Sequence, residues 1–153
     1  MAIEEITDGK LEELGAMSKI VTNPQARQRT EEKYRRTDYE VTAQQGKIKF
    51  RIYMRQNVTD PEDFSCGIRW LMPSGETLTL ARYNGSNHAH DEITYQCHIH
   101  NATEKAIREG RKQPEYYAEP TERFYTLDGA LHCLLNDFKV SELESKPDQS
   151  RLF

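Results

Sequence analysis

Residues 47–55 of this chain alternate with a strict period of two. Ile48, Phe50, Ile52 and Met54 fall between Lys47, Lys49, Arg51, Tyr53 and Arg55. Residues 64–72 repeat the pattern with Phe64, Cys66, Ile68, Trp70 and Met72 as the apolar set, and in 76–83 Leu78 and Leu80 alternate with Thr77, Thr79 and Ala81. Successive side chains of a strand point to opposite faces, so this pattern fits strands with one buried and one wet face; a helix would scatter it. Pro73-Ser74-Gly75 supplies a turn between the second and third runs. A fourth run, 93–100, sets Ile93, Tyr95, Cys97 and Ile99 against Thr94, Gln96, His98 and His100. Together the four runs predict one antiparallel sheet of four to five strands.

Helical spacing flanks these runs. Leu11, Leu14, Met17 and Val21 form one stripe over residues 8–21. Asn23-Pro24 reads as a cap followed by a first-turn proline, predicting a second, exposed helix to about residue 36. Arg27–Glu31, Glu31–Arg35 and Glu32–Arg36 would support that helix as i, i+4 pairs. Asn101-Ala102-Thr103-Glu104 reads as a capping box for a short helix that stops at Gly110. Thr126 caps a last helix, with Leu127, Ala130, Leu131, Leu134, Leu135 and Phe138 on one face. The expected fold is α+β, with helices packed on one face of the sheet and an open polar face on the other. Its parts are an N-terminal helical segment (1–36), an α+β core domain (37–140) and a mobile polar tail (141–153).

Composition narrows the class. With 153 residues, 36% apolar and 30% charged, the chain supports one modest core. No apolar run approaches the roughly 18 residues of a membrane span. The acidic start, Met1-Ala-Ile-Glu-Glu-Ile6, lacks a signal-peptide pattern, so the expected location is the cytoplasm. Cys66, Cys97 and Cys133 are odd in number and widely spaced, which suits reduced, buried thiols. The net charge of -4 hides an asymmetry. Residues 24–55 hold nine Lys/Arg against four acids, a net +5, while the rest holds twelve against twenty-one, a net -9. A basic segment in an acidic protein either binds an anion or neutralises the protein's own carboxylates.

The polar faces of the four predicted strands combine into one surface. It would carry Lys47, Lys49, Arg51, Tyr53 and Arg55, then Arg69, then Thr77, Thr79 and Tyr83, then Gln96, His98 and His100. Cations neutralise phosphate, aromatic rings stack on bases, and imidazoles exchange protons near neutral pH, so the surface suits RNA. Four of the five histidines fall within 88–100, as His88-Ala-His90 and His98-Ile-His100. Two chemistries fit them. His98 and His100, with His88 or His90 assisting and Arg82, Arg51 or Lys49 steadying phosphate charge, would cleave RNA without a metal. Alternatively His88, His90, His98 and His100, with Asp91 or Glu92, would hold zinc or another divalent ion. A third possibility is a set of structural histidines in a partner-binding module, docking through the exposed 24–36 helix.

Arg82-Tyr83-Asn84-Gly85, the histidine-rich stretch after it, and Phe124-Tyr-Thr-Leu-Asp-Gly-Ala-Leu131 leading into a helix ending Asn136-Asp-Phe138 carry a resemblance. Over about residues 64–138 the chain resembles the TumE-type toxins of bacterial toxin–antitoxin pairs and related prokaryotic proteins without an assigned function. Those toxins are small α+β proteins with an arginine–tyrosine strand, a histidine loop and a C-terminal helix. This chain differs in its longer N-terminal part, the second pair His98/His100 and the inserted 101–123 segment. The resemblance implies a cytoplasmic prokaryotic protein that acts on RNA and has a cognate antitoxin as partner.

Overall fold

The computed structural model describes residues 1–87, 91, 93 and 95–149. A short 3-10 turn (Ile3–Glu5) leads into α1 (Asp8–Ala16). Strands β1 (Lys19–Val21), β2 (Arg29–Glu31), β3 (Tyr34–Ala43), β4 (Lys49–Asn57), β5 (Phe64–Leu71), β6 (Thr77–Asn84) and β7 (His98–Asn101) follow. Then come α2 (Glu104–Arg108), β8 (Ala118–Pro120), α3 (Leu127–Asp137) and β9 (Val140–Ser141). The described residues form one sheet of nine strands in the order β8-β7-β6-β5-β4-β3-β1-β9, with β2 also paired to β3. Every pairing is antiparallel except β1 with β9.

The α+β class and the three strongly alternating strands match expectation; the strand count does not. β3 is the long strand that alternation missed, because its run Tyr34-Arg-Arg-Thr-Asp-Tyr-Glu-Val-Thr-Ala43 is polar on both faces at one end. The expected helix over 24–36 does not form. Residues 29–36 make a hairpin whose turn carries Glu32 at φ 54, and Arg29 lies opposite Arg36 in the β2–β3 register. Two of the charges taken for i, i+4 helical pairs find other partners in the hairpin: Glu31 bonds Arg29 at 3.1 Å and Arg36 bonds Asp38 at 3.1 Å, with Arg29 also on Asp38 at 2.8 Å. Alternating Arg, Thr, Asp and Glu suit a strand with one wet face as well as they suit a helix surface.

α1 stops at Ala16, and the chain enters β1 where the sequence stripe had run on to Val21. Lys19 accounts for the stop. It is 0% exposed, and its Nζ donates to Gly15 O (3.2 Å), Met17 O (2.9 Å) and Phe138 O (2.8 Å). One ammonium thus satisfies carbonyls at the C-terminal ends of both α1 and α3, where unpaired C=O groups and the helix dipole favour a cation. Burial, with Lys139 nearby, pushes its pKa down to about 8.

The N-terminal ends of α1 and α2 also meet. Asp8 N–H donates to Glu104 Oε1 at 3.0 Å, and Glu104 N–H donates to Asp8 Oδ1 at 2.8 Å. The N-cap of α2 is Thr103, accepting from Ala106 N–H, so the capping box expected at Asn101 is displaced; Asn101 closes β7. Thr126 caps α3 as expected, accepting from Gly129 N–H.

The core lies between α3, with α1, and one face of the sheet. Phe50, Ile52, Cys66, Ile68, Trp70, Leu78, Leu131 and Leu134 are all buried there. All three cysteines are buried thiols outside any disulfide, and burial pushes the Cys66 thiol well above its usual range. The described part of the expected tail, residues 141–149, runs back along α3. Lys146 N–H donates to Asp128, Ser145 Oγ lies 3.1 Å from His132 Nδ1, and Asp148 accepts from Tyr125 N–H and Thr126 N–H at 2.7 and 2.9 Å. A Cβ on Gly129 would fall 2.0 Å from Asp148 Oδ2, so that seat needs glycine at this helical turn. Among the described residues no helix is long and apolar enough to cross a membrane.

Candidate functional site

Strand register fixes which side chains share the polar face. Asp38, Tyr53, Gly67, Arg82 and His100 lie opposite one another in one row across β3 to β7. Arg36, Arg55, Ser65, Asn84 and His98 form the row beside it. A one-residue bulge sets the right-hand part of both rows. Ile68 faces Ala81 while Arg69 faces Thr79, so Leu80 is extra on β6. An inserted residue moves every later side chain to the opposite face.

That shift corrects one expectation. Tyr83, expected on the polar face, is buried in the core, tilted against Phe124 with centroids 5.9 Å apart, and its hydroxyl donates to Asp137 Oδ2 at 2.5 Å. Burial and the Asp137 carboxylate push its phenol well above the usual range. Arg82 takes the place on the polar face. The fourth predicted strand is also shorter than 93–100: only His98–Asn101 belongs to β7, and Tyr95 is 68% exposed at φ 51.

His98 and His100 point from the polar face, as the alternation requires, with ring centroids 5.0 Å apart. They are, however, 0% and 1% exposed. Residues 115 and 116 lie against His100, and Pro120 of β8 is the register partner of His98. His100 Nδ1 donates to Glu115 O at 2.9 Å, and His98 Nδ1 donates to Gln96 O at 2.9 Å. A carbonyl only accepts, so Nδ1 carries the proton in both rings. One direction of donation then satisfies the buried polar chain beneath them. Tyr53 OH donates to Ser65 Oγ (3.3 Å), Ser65 to Asn84 Oδ1 (2.8 Å), and Asn84 Nδ2 faces His98 Nε2 at 3.5 Å. Burial pushes the Tyr53 phenol up, which keeps it a donor. Gly67 makes room for this chain, because a Cβ there would meet Tyr53 Cε1 at 2.7 Å and Ala81 O at 2.8 Å.

Beside the buried chain lies a cleft of about 590 Å³, a size typical of small-ligand sites. Its floor includes Arg69, Thr77, Thr79 and Arg82, one wall is the turn at Ile3 and Glu4, and the other is residues 110–115 with Ile107. Arg69, Arg82, Arg111 and Lys112 bring four cations to it; Glu4 and Glu115 bring two carboxylates. Arg82 is held short of full pairing. Its Nε is buried without a hydrogen-bond partner, 3.9 Å from Glu115 Oε2, and its Nη2 is 3.5 Å from Gln113 Oε1. Both distances exceed a normal hydrogen bond. Arg111, Lys112 and Glu115 escaped the sequence reading because they sit in an irregular segment; the one local signal was a run of basic residues, Arg108, Arg111 and Lys112, on an acidic chain.

On the basic strand expected to hold phosphate, one cation is matched by a carboxylate and one lies against an aromatic ring. Arg51 pairs with Glu40 at 3.0 Å, Arg55 stacks over Tyr34 at 3.8 Å, and Arg69 over Tyr53 at 4.8 Å. Lys49 Nζ lies 3.3 Å from Thr42 Oγ1 and is exposed, as is Lys47 in the turn before β4. Tyr53 is buried beneath the two arginines Arg36 and Arg69. His88, His90 and Glu92 lie outside the described residues. Among the described residues no three His, Cys, Asp or Glu side chains gather in a way that would hold a metal ion. The chain matches no protein-family model, and neither curated proteins nor solved structures give a match.

Proposed function

We propose that this protein binds RNA through the polar face of its sheet, with contact gathered at the Arg69–Arg82 cleft. One observation carries the reading: four cations converge on a ligand-sized cleft in which the Arg82 guanidinium is short of acceptors. A buried donor without an acceptor costs about 1–3 kcal/mol, and a phosphate oxygen supplies the acceptor. The resemblance to TumE-type toxins points the same way, toward RNA and a cognate antitoxin.

Cleavage is the narrower form of this proposal. It assigns proton transfer to His98 and His100, with Arg82 steadying phosphate charge and His88 or His90 assisting. Both imidazoles are buried, so the chain over them, including residues 115 and 116 over His100, must move before a phosphodiester reaches them. Binding without cleavage is therefore the form the geometry supports best. The metal reading through His88, His90, His98 and His100 rests on histidine spacing alone. The partner-docking reading loses the 24–36 helix on which it stood.

Fluorescence anisotropy with a short single-stranded RNA tests the proposal, read across a salt series. Binding that weakens with salt, with a slope of about -1.4 for two phosphate contacts, supports it. Loss of at least about tenfold in affinity in Arg82→Gln supports it further. Absence of binding at low salt removes it. Gel analysis of the same mixtures, with and without chelator, reads cleavage.

A further inference from the structure

The distribution of cations on this face is uneven in a way that restricts the ligand. Along β2, β3 and β4 the cations are spread along open strand: Arg29 and Arg36 share Asp38, Arg51 pairs with Glu40, and Lys49 and Arg55 lack a carboxylate partner among the described residues. In the cleft four cations instead converge on one walled pocket with two carboxylates. Arg111 also pairs with Glu109 at 3.2 Å, but both side chains are solvated, where such a pair is weak. The excess of about two positive charges suits a phosphomonoester, whose charge near neutral pH is about -1.5 to -2, better than a single diester charge. Glu4 and Glu115 in the walls would repel further backbone phosphates. Thr77 and Thr79 add hydroxyl donors beside Arg69 and Arg82 on the floor.

From this arrangement we infer that the cleft is a terminal-phosphate site: it takes the phosphomonoester of a nucleotide, free or at an RNA end, in preference to internal diesters. The inference rests on the RNA reading for its biological ligand, but the site's chemistry stands on the cleft alone. Arg82 is the central donor, swinging from its long contacts with Glu115 and Gln113 onto phosphate oxygen. Arg111 and Lys112 approach from the opposite wall. Glu115 tethers Arg82 in the empty cleft and competes with the phosphate for it.

The test compares four versions of one short RNA, carrying a phosphate at the 5′ end, at the 3′ end, at both, or at neither, alongside uridine monophosphate and inorganic phosphate as competitors. The expected result is at least about tenfold tighter binding of one end-phosphorylated RNA than of the unphosphorylated one. Uridine monophosphate should compete and inorganic phosphate should compete more weakly. Arg82→Gln should abolish the difference between the RNAs, with thermal melting confirming that the variant folds. Lys112→Gln, an exposed substitution, should reduce the difference several-fold without affecting folding. Glu115→Gln should strengthen uridine monophosphate binding, a direction that a merely structural role would not produce. Equal binding of all four RNAs overturns the inference while leaving the RNA reading standing. Binding of uridine monophosphate that depends on Arg82, with no RNA binding, supports the terminal-phosphate site and overturns the RNA reading. If neither RNA nor uridine monophosphate binds, both fall.

Discussion

Arg82 and His100 face each other across the β6–β7 ladder. Arg82 borders a solvent-open cleft, while His100 is sealed beneath residues 115 and 116, its Nδ1 donating to Glu115 O. The two neighbours therefore divide the polar face into a charged, accessible part and a buried, hydrogen-bonded part. The bulge at Leu80 creates the division, because it turns Arg82 toward this face and Tyr83 into the core. Three of the following expectations test that division and its supports.

His100 ties segment 110–117 to the sheet. His100→Ala should cost about 1–3 kcal/mol by leaving the Glu115 carbonyl without its donor, measured by urea unfolding. Amide exchange in residues 113–117 should speed up in the same variant. An unchanged stability together with lost RNA cleavage would instead favour the acid–base role for this histidine.

Gly67 lets the Tyr53 ring lie flat against β5. Gly67→Ala should destabilise by about 1–3 kcal/mol, because the added methyl meets the ring at 2.7 Å and the Ala81 carbonyl at 2.8 Å. Thermal melting of the variant checks this. A change within about 0.5 kcal/mol would show that the ring moves aside freely.

Lys19 predicts an unusual pH dependence. Its folded-state pKa lies near 8, below the ordinary 10.5. Between those values the unfolded chain binds more protons than the folded one, so this group makes stability rise with pH across about pH 8–10.5. Buried Cys66 and Tyr83, whose pKa values are raised, act oppositely, losing stability as pH climbs above their unfolded values. Comparison with Lys19→Met isolates the lysine. The variant should be less stable by about 1–3 kcal/mol at pH 7, since three carbonyls lose their donor. The gap should widen by up to about 3 kcal/mol toward pH 10.5. A gap that narrows above pH 8 would contradict the assigned direction.

The physics that sequence shows most plainly is one-sided burial. Residues 47–55 and 64–72 read correctly because each has a continuous apolar face against α3. β3 did not, since Arg36, Asp38 and Glu40 take partners from β2 and β4, which only the register reveals. The bulge at Leu80 is equally silent: Leu80-Ala81 is compatible with plain alternation, and one extra residue reverses Tyr83 and Arg82. His98 and His100 were placed on the correct face, but the burial of His100 depends on residues 15 or more positions away. The cleft combines residues from the first turn, β5, β6 and segment 107–115, and no local motif joins them.

Amide hydrogen exchange of the whole protein, with and without saturating 5′- and 3′-phosphorylated RNA, tests the central claim most directly. The account predicts slowed exchange in β6 and in residues 107–115, the two sides of the Arg82 cleft, and little change over β2 and β3. Protection confined to residues 44–49 and the β2–β3 hairpin, with none at 107–115, would contradict it and return the RNA contact to the basic strand.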